Sequence, residues 1–173
     1  GMLMGSTGTR HPKHGLQDQL DLVQIDWDGN IVWKFDRAEF VEDPGQEPRW
    51  MARQHHDFQR EGSSTGYYAP GSEPRIDSGN TLVLCHRNTV QPYISDKTLV
   101  DDVIYEVNWE GDILWEWACS DHVEEMGFSE EARNAMCRDP NYRGGTLMED
   151  APGVGDWMHV NSMSTLGPNK WFD

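Results

Sequence analysis

Two short polar runs contain the residues best equipped for chemistry: Arg53, His55, His56 and Asp57 in one, Asp156, His159 and Asn161 in the other. An imidazole titrates near neutral pH and can act as nucleophile, general acid or general base. Two imidazoles and a guanidinium together can grip an anionic tetrahedral group. His56 and His159 are therefore the candidate catalytic residues, and Arg53, His55 and Asn161 the candidate substrate-binding ones. The plainer reading of each histidine is a hydrogen bond across strands. His55, beside His56 on a strand, should point to the opposite face.

The same alternation argues against a metal centre built from His55, His56, Asp57 and Asp156, because no His-x-His or His-x-x-x-His spacing supports one. Asp26-x-Asp28-x-Asn30 has the start of a calcium loop, yet Arg37 stands where the twelfth position needs a glutamate. Neither a metal nor a cofactor is expected. There is no Gly-rich phosphate loop and no Gly-x-Ser-x-Gly elbow. His86, Arg87 and His122 read as polar residues of loops or strand rims.

The elements that must position these side chains are announced by a repeat. LVQIDWDGNIVWKF at 22–35 aligns with VIYEVNWEGDILWEW at 103–117, so that Trp27, Gly29, Ile31 and Trp33 fall on Trp109, Gly111, Ile113 and Trp115 at a constant offset of 82. Each copy predicts a strand, a tight acidic-Gly turn and a second strand ending in Trp. Further strands are predicted at 55–60 and 80–86. In order, 55–60, 80–86, 103–109 and 113–117 make four consecutive antiparallel strands, the unit of a β-propeller blade. Residues 22–35 then supply the outer hairpin of a preceding blade, and WMHVNSM at 157–163 opens a following one. First strands of successive blades line the central channel, which brings His56 and His159 together. Trp27, Trp33, Trp109, Trp115 and Trp117 are expected to pack between blades.

The fold class that follows is all-β: an incomplete β-propeller over 20–173, with a loop and short helical insertion at 119–155. Ser129 caps that helix. Residues 61–78, rich in Gly, Ser, Pro and Tyr, form an excursion at one rim, and residues 1–19 a flexible N-terminal arm. Propellers close with about four to eight blades. One whole blade and parts of two others leave open edges, so the expected partners are copies of this chain in a homo-oligomer, or the missing propeller blades.

Composition narrows the function. Among 173 residues, 14 Lys and Arg face 30 Asp and Glu, a net charge of −16. This excludes nucleic acid and anionic membrane surfaces as natural partners, though local Arg and His can still line a pocket for a small anion. No run approaches the roughly 20 apolar residues of a membrane span. Cys85, Cys119 and Cys137 have neither metal-knuckle nor redox-pair spacing and read as reduced, structural thiols. Gly1-Met2 reads as a remnant ahead of the natural start. Location is cytoplasmic by default, and secreted or periplasmic if a signal was removed.

The chain resembles the arylsulfotransferase family. The resemblance is carried by the two Trp-x-Gly-x-Ile-x-Trp-type hairpins, by RQHHDFQREG at 53–62 with YYAPG at 67–71, by GNTLVLCHR at 79–87 and by DWMHVNSMS at 156–164. It implies a six-bladed propeller with histidines around its channel, and a sulfuryl group moved between phenols through a sulfated histidine. The implied substrates are phenolic compounds and aryl sulfates. His56 and His159 then match channel histidines that hold the sulfuryl oxygens. The resemblance also implies an arginine on the strand after DWMHVNS and a sulfate-accepting histidine on a later blade, both beyond Asp173. A noncatalytic propeller piece acting in assembly or small-anion binding is the competing expectation.

Overall fold

Turn chemistry at two acidic-Gly sites organises the chain into antiparallel hairpins. The computed structural model describes residues 3–9, 18–42, 47–62, 73, 75–94, 99–132, 155–166 and 170–171, with the backbone alone at 3–9, 155 and 156. The strands are β1 (Leu3–Thr9), β2 (Gln19–Ile25), β3 (Ile31–Phe35), β4 (Glu39–Val41), β5 (Arg49–Met51), β6 (Gln54–Arg60), β7 (Thr81–Thr89), β8 (Leu99–Val107), β9 (Ile113–Ala118) and β10 (Gly155–Asp156), and a 3-10 turn occupies Cys119–Asp121. The protein is all-β, with almost no helix among the described residues. β1, β2, β6, β7, β8 and β10 are neighbours in that order in one eight-stranded sheet, β3 pairing with β2 and β9 with β8. β4 and β5 pair separately.

The repeat holds bond for bond. Gly29 N donates to Asp26 O and Gly111 N to Asn108 O, both at 3.2 Å, and Asp26 N and Asn108 N each close the turn on the carbonyl four residues on. The glycines sit at φ 87° and 90°, where a Cβ is disfavoured. A side-chain oxygen of Asp26 accepts Asn30 N at 2.9 Å, as Asn108 Oδ1 accepts Asp112 N at 2.8 Å. Even the irregularities match: the register shifts between Gln24 and Ile25 in one hairpin and between Glu106 and Val107 in the other. β6, β7, β8 and β9 are successive antiparallel neighbours, the order expected.

Within the 1–19 segment, Leu3–Thr9 lies along β2, with Leu3 opposite Ile25 and Thr9 opposite Gln19. β7 borders β8 in the equivalent register, Thr81 opposite Val107 and Arg87 opposite Asp101. A three-stranded unit, β1–β2–β3, is thus repeated as β7–β8–β9. The 61–78 excursion and the 119–155 insertion fall largely outside the described residues. Of the expected helix, residues 130–132 are helical and Ala132 N donates to Ser129 Oγ at 3.1 Å.

One hydrophobic cluster joins the two units: Leu22, Trp33 and Phe35 pack with Val83, Cys85, Val103, Tyr105, Val107 and Ala118. Each Val, Leu or Phe of this cluster contributes about 1.5–3 kcal/mol on full burial. Between the hairpins, the Arg60 guanidinium lies 4.5 Å over the Trp33 ring and 4.9 Å over Trp109, and Trp33 Nε1 donates to Trp109 O at 2.9 Å. Burial there pulls Arg60 down to about 10. Trp27 and Trp115 do not pack as expected, being 69% and 48% exposed. Trp27 sits at a turn and Trp115 on β9, where residues 113–116 are exposed on both faces.

Candidate functional site

β6 does not run as a regular strand through the histidines. Its pairing with β7 jumps from Gln54–Cys85 to Phe58–Val83, so four residues of β6 advance against two of β7. Arg53 and His56 take left-handed φ values of 53° and 51°. Each costs an L-residue roughly 1–2 kcal/mol and persists only where the surroundings over-determine it. Such a bulge re-aims side chains. His56 is exposed and His55 buried, yet they touch, with Nδ1 to Nδ1 at 3.0 Å. The expectation that His55 points away from His56 fails because the bulge breaks the two-residue alternation on which it rests.

His159 repeats the feature at φ 57°. The expected strand over 157–163 does not form: the short β10, parallel to β8, ends at Asp156, and residues 157–163 pair with no strand. Beyond Asp156 the segment is held as a strap by carboxylates rather than by a ladder. Trp157 Nε1 donates to Asp101 Oδ1 at 3.1 Å, Val160 N to Asp102 Oδ2 at 3.2 Å, and Met163 N to Asp57 Oδ2 at 3.0 Å. Gln59 Nε2 donates to the Met163 carbonyl. The strap brings the exposed His159 ring to 5.9 Å from that of His56, edge to face. Asn161 is also exposed.

Beneath the histidine pair lies a buried polar floor. Arg53 has no exposed side-chain surface and donates to Asp18 at 2.8 Å, Glu39 at 2.5 Å and Asn88 at 3.0 Å. The fork expected at substrate lies inside the protein on these three acceptors, where it holds the floor. Burial alone would raise the Asp18 carboxyl, but Arg53 and His86 outweigh it and hold the group below the ordinary carboxylate value. His86 Nδ1 meets Asp18 Oδ1 at 2.5 Å, and its ring stacks on His55 with centroids 3.7 Å apart. His55 Nε2 and His86 Nε2 lie 3.3 and 3.7 Å from Asp102 Oδ1. Burial pushes His55 below the usual imidazole value, with Asp102 opposing.

Sequence reasoning missed Asp18, Asp101 and Asp102 and took His86 for a rim residue. A signal was available. Asp101-Asp102 interrupts the otherwise apolar core of LVDDVIYEV, and adjacent carboxylates buried on a central strand must serve as acceptors or ligands.

The Arylsulfotransferase (ASST) family model matches residues 72–170. The chain belongs to the arylsulfotransferase family. No curated protein and no solved structure matches it. The family match covers β7, β8, β9, β10 and the strap with His159, while β6 with His55 and His56 precedes it. In this member of the family the pair of left-handed histidines therefore spans the matched segment and the strand before it. No helix among the described residues is long and apolar enough to cross a membrane.

Cys85 and Cys119 are free and buried; burial pushes Cys85 well up and Cys119 up to about 12. In a Cys137→Ser background, the folded protein at pH 8 should leave Ellman's reagent unreacted, and both thiols should react on denaturation. Rapid labelling of the folded form would contradict this burial.

Proposed function

We propose that the chain is a propeller-type, sulfotransferase-like protein in which His56 and His159 hold the sulfuryl oxygens of an aryl sulfate. In this reading β6–β9 is one blade, β1–β3 belongs to the blade before it, and the strap begins the next. One observation carries the reading. Two histidines 103 residues apart in sequence adopt the same disfavoured backbone conformation and present exposed rings 5.9 Å apart. Strain of this kind clusters at ligand clamps. Sulfuryl transfer breaks the S–O bond to one phenol and makes an S–O bond to another, and charge grows on the oxygens between them. Fixed N–H donors at that place act by electrostatic stabilisation. Asn161, exposed two residues beyond His159, is a further candidate donor, and His55 acts behind His56 rather than on substrate.

Sulfate titration calorimetry tests the clamp. A hydrogen bond to a charged group contributes roughly 1.5–3 kcal/mol, so His56→Ala and His159→Ala should each weaken sulfate binding by about 10-fold to 100-fold. Unchanged affinity in both variants would sink the clamp. Transfer itself is read with p-nitrophenyl sulfate as donor and phenol as acceptor.

A second reading, a noncatalytic anion-binding or assembly module, is favoured by the open edge of β9, where Ile113, Leu114 and Trp115 are exposed. Edges of this type pair with further strands, from copies of the chain or from other blades. Sulfate binding without p-nitrophenol release, in a discrete homo-oligomer measured by light scattering, would favour it.

A further inference from the structure

We propose that His55 Nε2, His86 Nε2 and Asp102 Oδ1 form a binding site for a divalent transition-metal cation of the zinc type. The three atoms lie within 4.8 Å of one another, and all three residues are buried, at 2%, 5% and 1% exposure. His55 Nε2 and Asp102 Oδ1 have no hydrogen-bond partner, although only 3.3 Å separates them. An orphaned pair of this kind costs about 1–3 kcal/mol per group. Donors 3.3 and 3.7 Å apart fit adjacent corners of a site whose ion sits about 2.0–2.2 Å from each.

The surroundings are those that ligands need. His86 gives its Nδ1 to Asp18 at 2.5 Å, which leaves Nε2 free to turn a lone pair on the ion, and Arg53 fixes Asp18 in turn at 2.8 Å. Asp102 spends its other oxygen on Val160 N at 3.2 Å. Charge points the same way. The buried Arg53 already faces Asp18 and Glu39, so the Asp102 carboxylate needs a cation of its own. Two imidazoles and one carboxylate select zinc-like ions over calcium or magnesium, and three ligands leave a position open. The His55 and His86 rings now stack at 16°, so loading turns at least one of them to aim its lone pair.

The site also reaches the surface. A metal on His55 Nε2 puts the His55 proton on Nδ1, which then donates to His56 Nδ1 across 3.0 Å and leaves the His56 Nε2–H aimed outward as a donor. This last step rests on the anion clamp proposed above; metal binding does not.

Full-length protein stripped with EDTA is titrated with zinc chloride by calorimetry. One zinc per chain is expected, with affinity falling at least about 100-fold in His86→Phe, which keeps a ring against His55 and removes both nitrogens. The His159→Ala variant should bind zinc as wild type does, even if its sulfate affinity collapses, so failure of the clamp and failure of the metal site are read separately. If His86→Phe does not fold, the visible spectrum of the cobalt-loaded wild type decides. Bands of a four-coordinate ion with nitrogen ligands support the site. The absence of stoichiometric zinc binding, zinc binding unchanged by folded His86→Phe, or the spectrum of a six-coordinate, water-ligated cobalt ion overturns it.

Discussion

Replacing Asp18 by Asn should destabilise the protein by about 3–5 kcal/mol, the usual cost of leaving a buried charge without its partner. Asp18 has no exposed side-chain surface and binds two groups at once, Arg53 through one oxygen and His86 through the other. Asn keeps one acceptor and loses the charge, leaving the wholly buried Arg53 with Glu39, itself a third exposed, and with Asn88. The double variant Asp18→Asn/Arg53→Met should recover much of the loss, because both ions then leave the interior together. Urea midpoints with unchanged slopes measure both effects. A double variant no more stable than the single one would show that the pair is not the source of the loss.

The same carboxylate gives a pH signature. Its folded pKa lies below the unfolded 3.8, so the unfolded chain binds the extra proton first as pH falls. Asp18's stabilisation is therefore complete above about pH 4 and is lost as pH drops through the folded value. The stability gap between wild type and Asp18→Asn should be constant near neutrality and close in strong acid. Asp101 tilts the wild-type curve the opposite way just above pH 3.8, since burial raises its carboxyl despite the bonds from Ser120 and Trp157. The difference between variants, rather than either curve alone, isolates Asp18.

What could be read in advance was local. The hairpins at Asp26–Asn30 and Asn108–Asp112 are set by side chains two to four residues from the bonds they make, and so the repeat survives into matching registers. The order β6–β7–β8–β9 follows because each strand returns to its neighbour. The approach of the His56 and His159 rings to 5.9 Å is made by the strap rather than by the strand expected at 157–163. The direction of His55 was not legible, because the bulge uses left-handed Arg53 and His56 where a sequence reader looks for glycine. Residues 3–9 lack alternation, and their place is set by pairing with β2. Asp18, Asp101 and Asp102, and the burial of Arg53, escaped because charge is ordinarily read as surface, whereas here the partners that hold these groups inside are distant in sequence. The strap escaped because its donors go to side-chain oxygens of Asp57, Asp101 and Asp102 instead of to a partner strand.

Asp101 shows how far the site depends on that last device, and Asp101→Ala should cost about 3–5 kcal/mol. One oxygen accepts Ser120 N at 3.0 Å and Trp157 Nε1 at 3.1 Å; the other accepts Ser120 Oγ at 2.6 Å. Alanine leaves these donors buried with no acceptor, and each orphan costs about 1–3 kcal/mol, less than additively. It also frees Trp157 from β8 inside the cluster of Leu99, Cys119 and Val123. Asn keeps one carbonyl oxygen and should lose roughly half as much. Because Trp157 stands two residues before His159, the Ala variant should also bind sulfate more weakly than wild type at a temperature where both are folded. The loss should be smaller than in His159→Ala, since Val160 N still holds Asp102. Full sulfate affinity in a destabilised Asp101→Ala would mean that the strap keeps His159 in place through Asp102 and Asp57 alone, and that the left-handed turn at His159 is fixed downstream of Trp157.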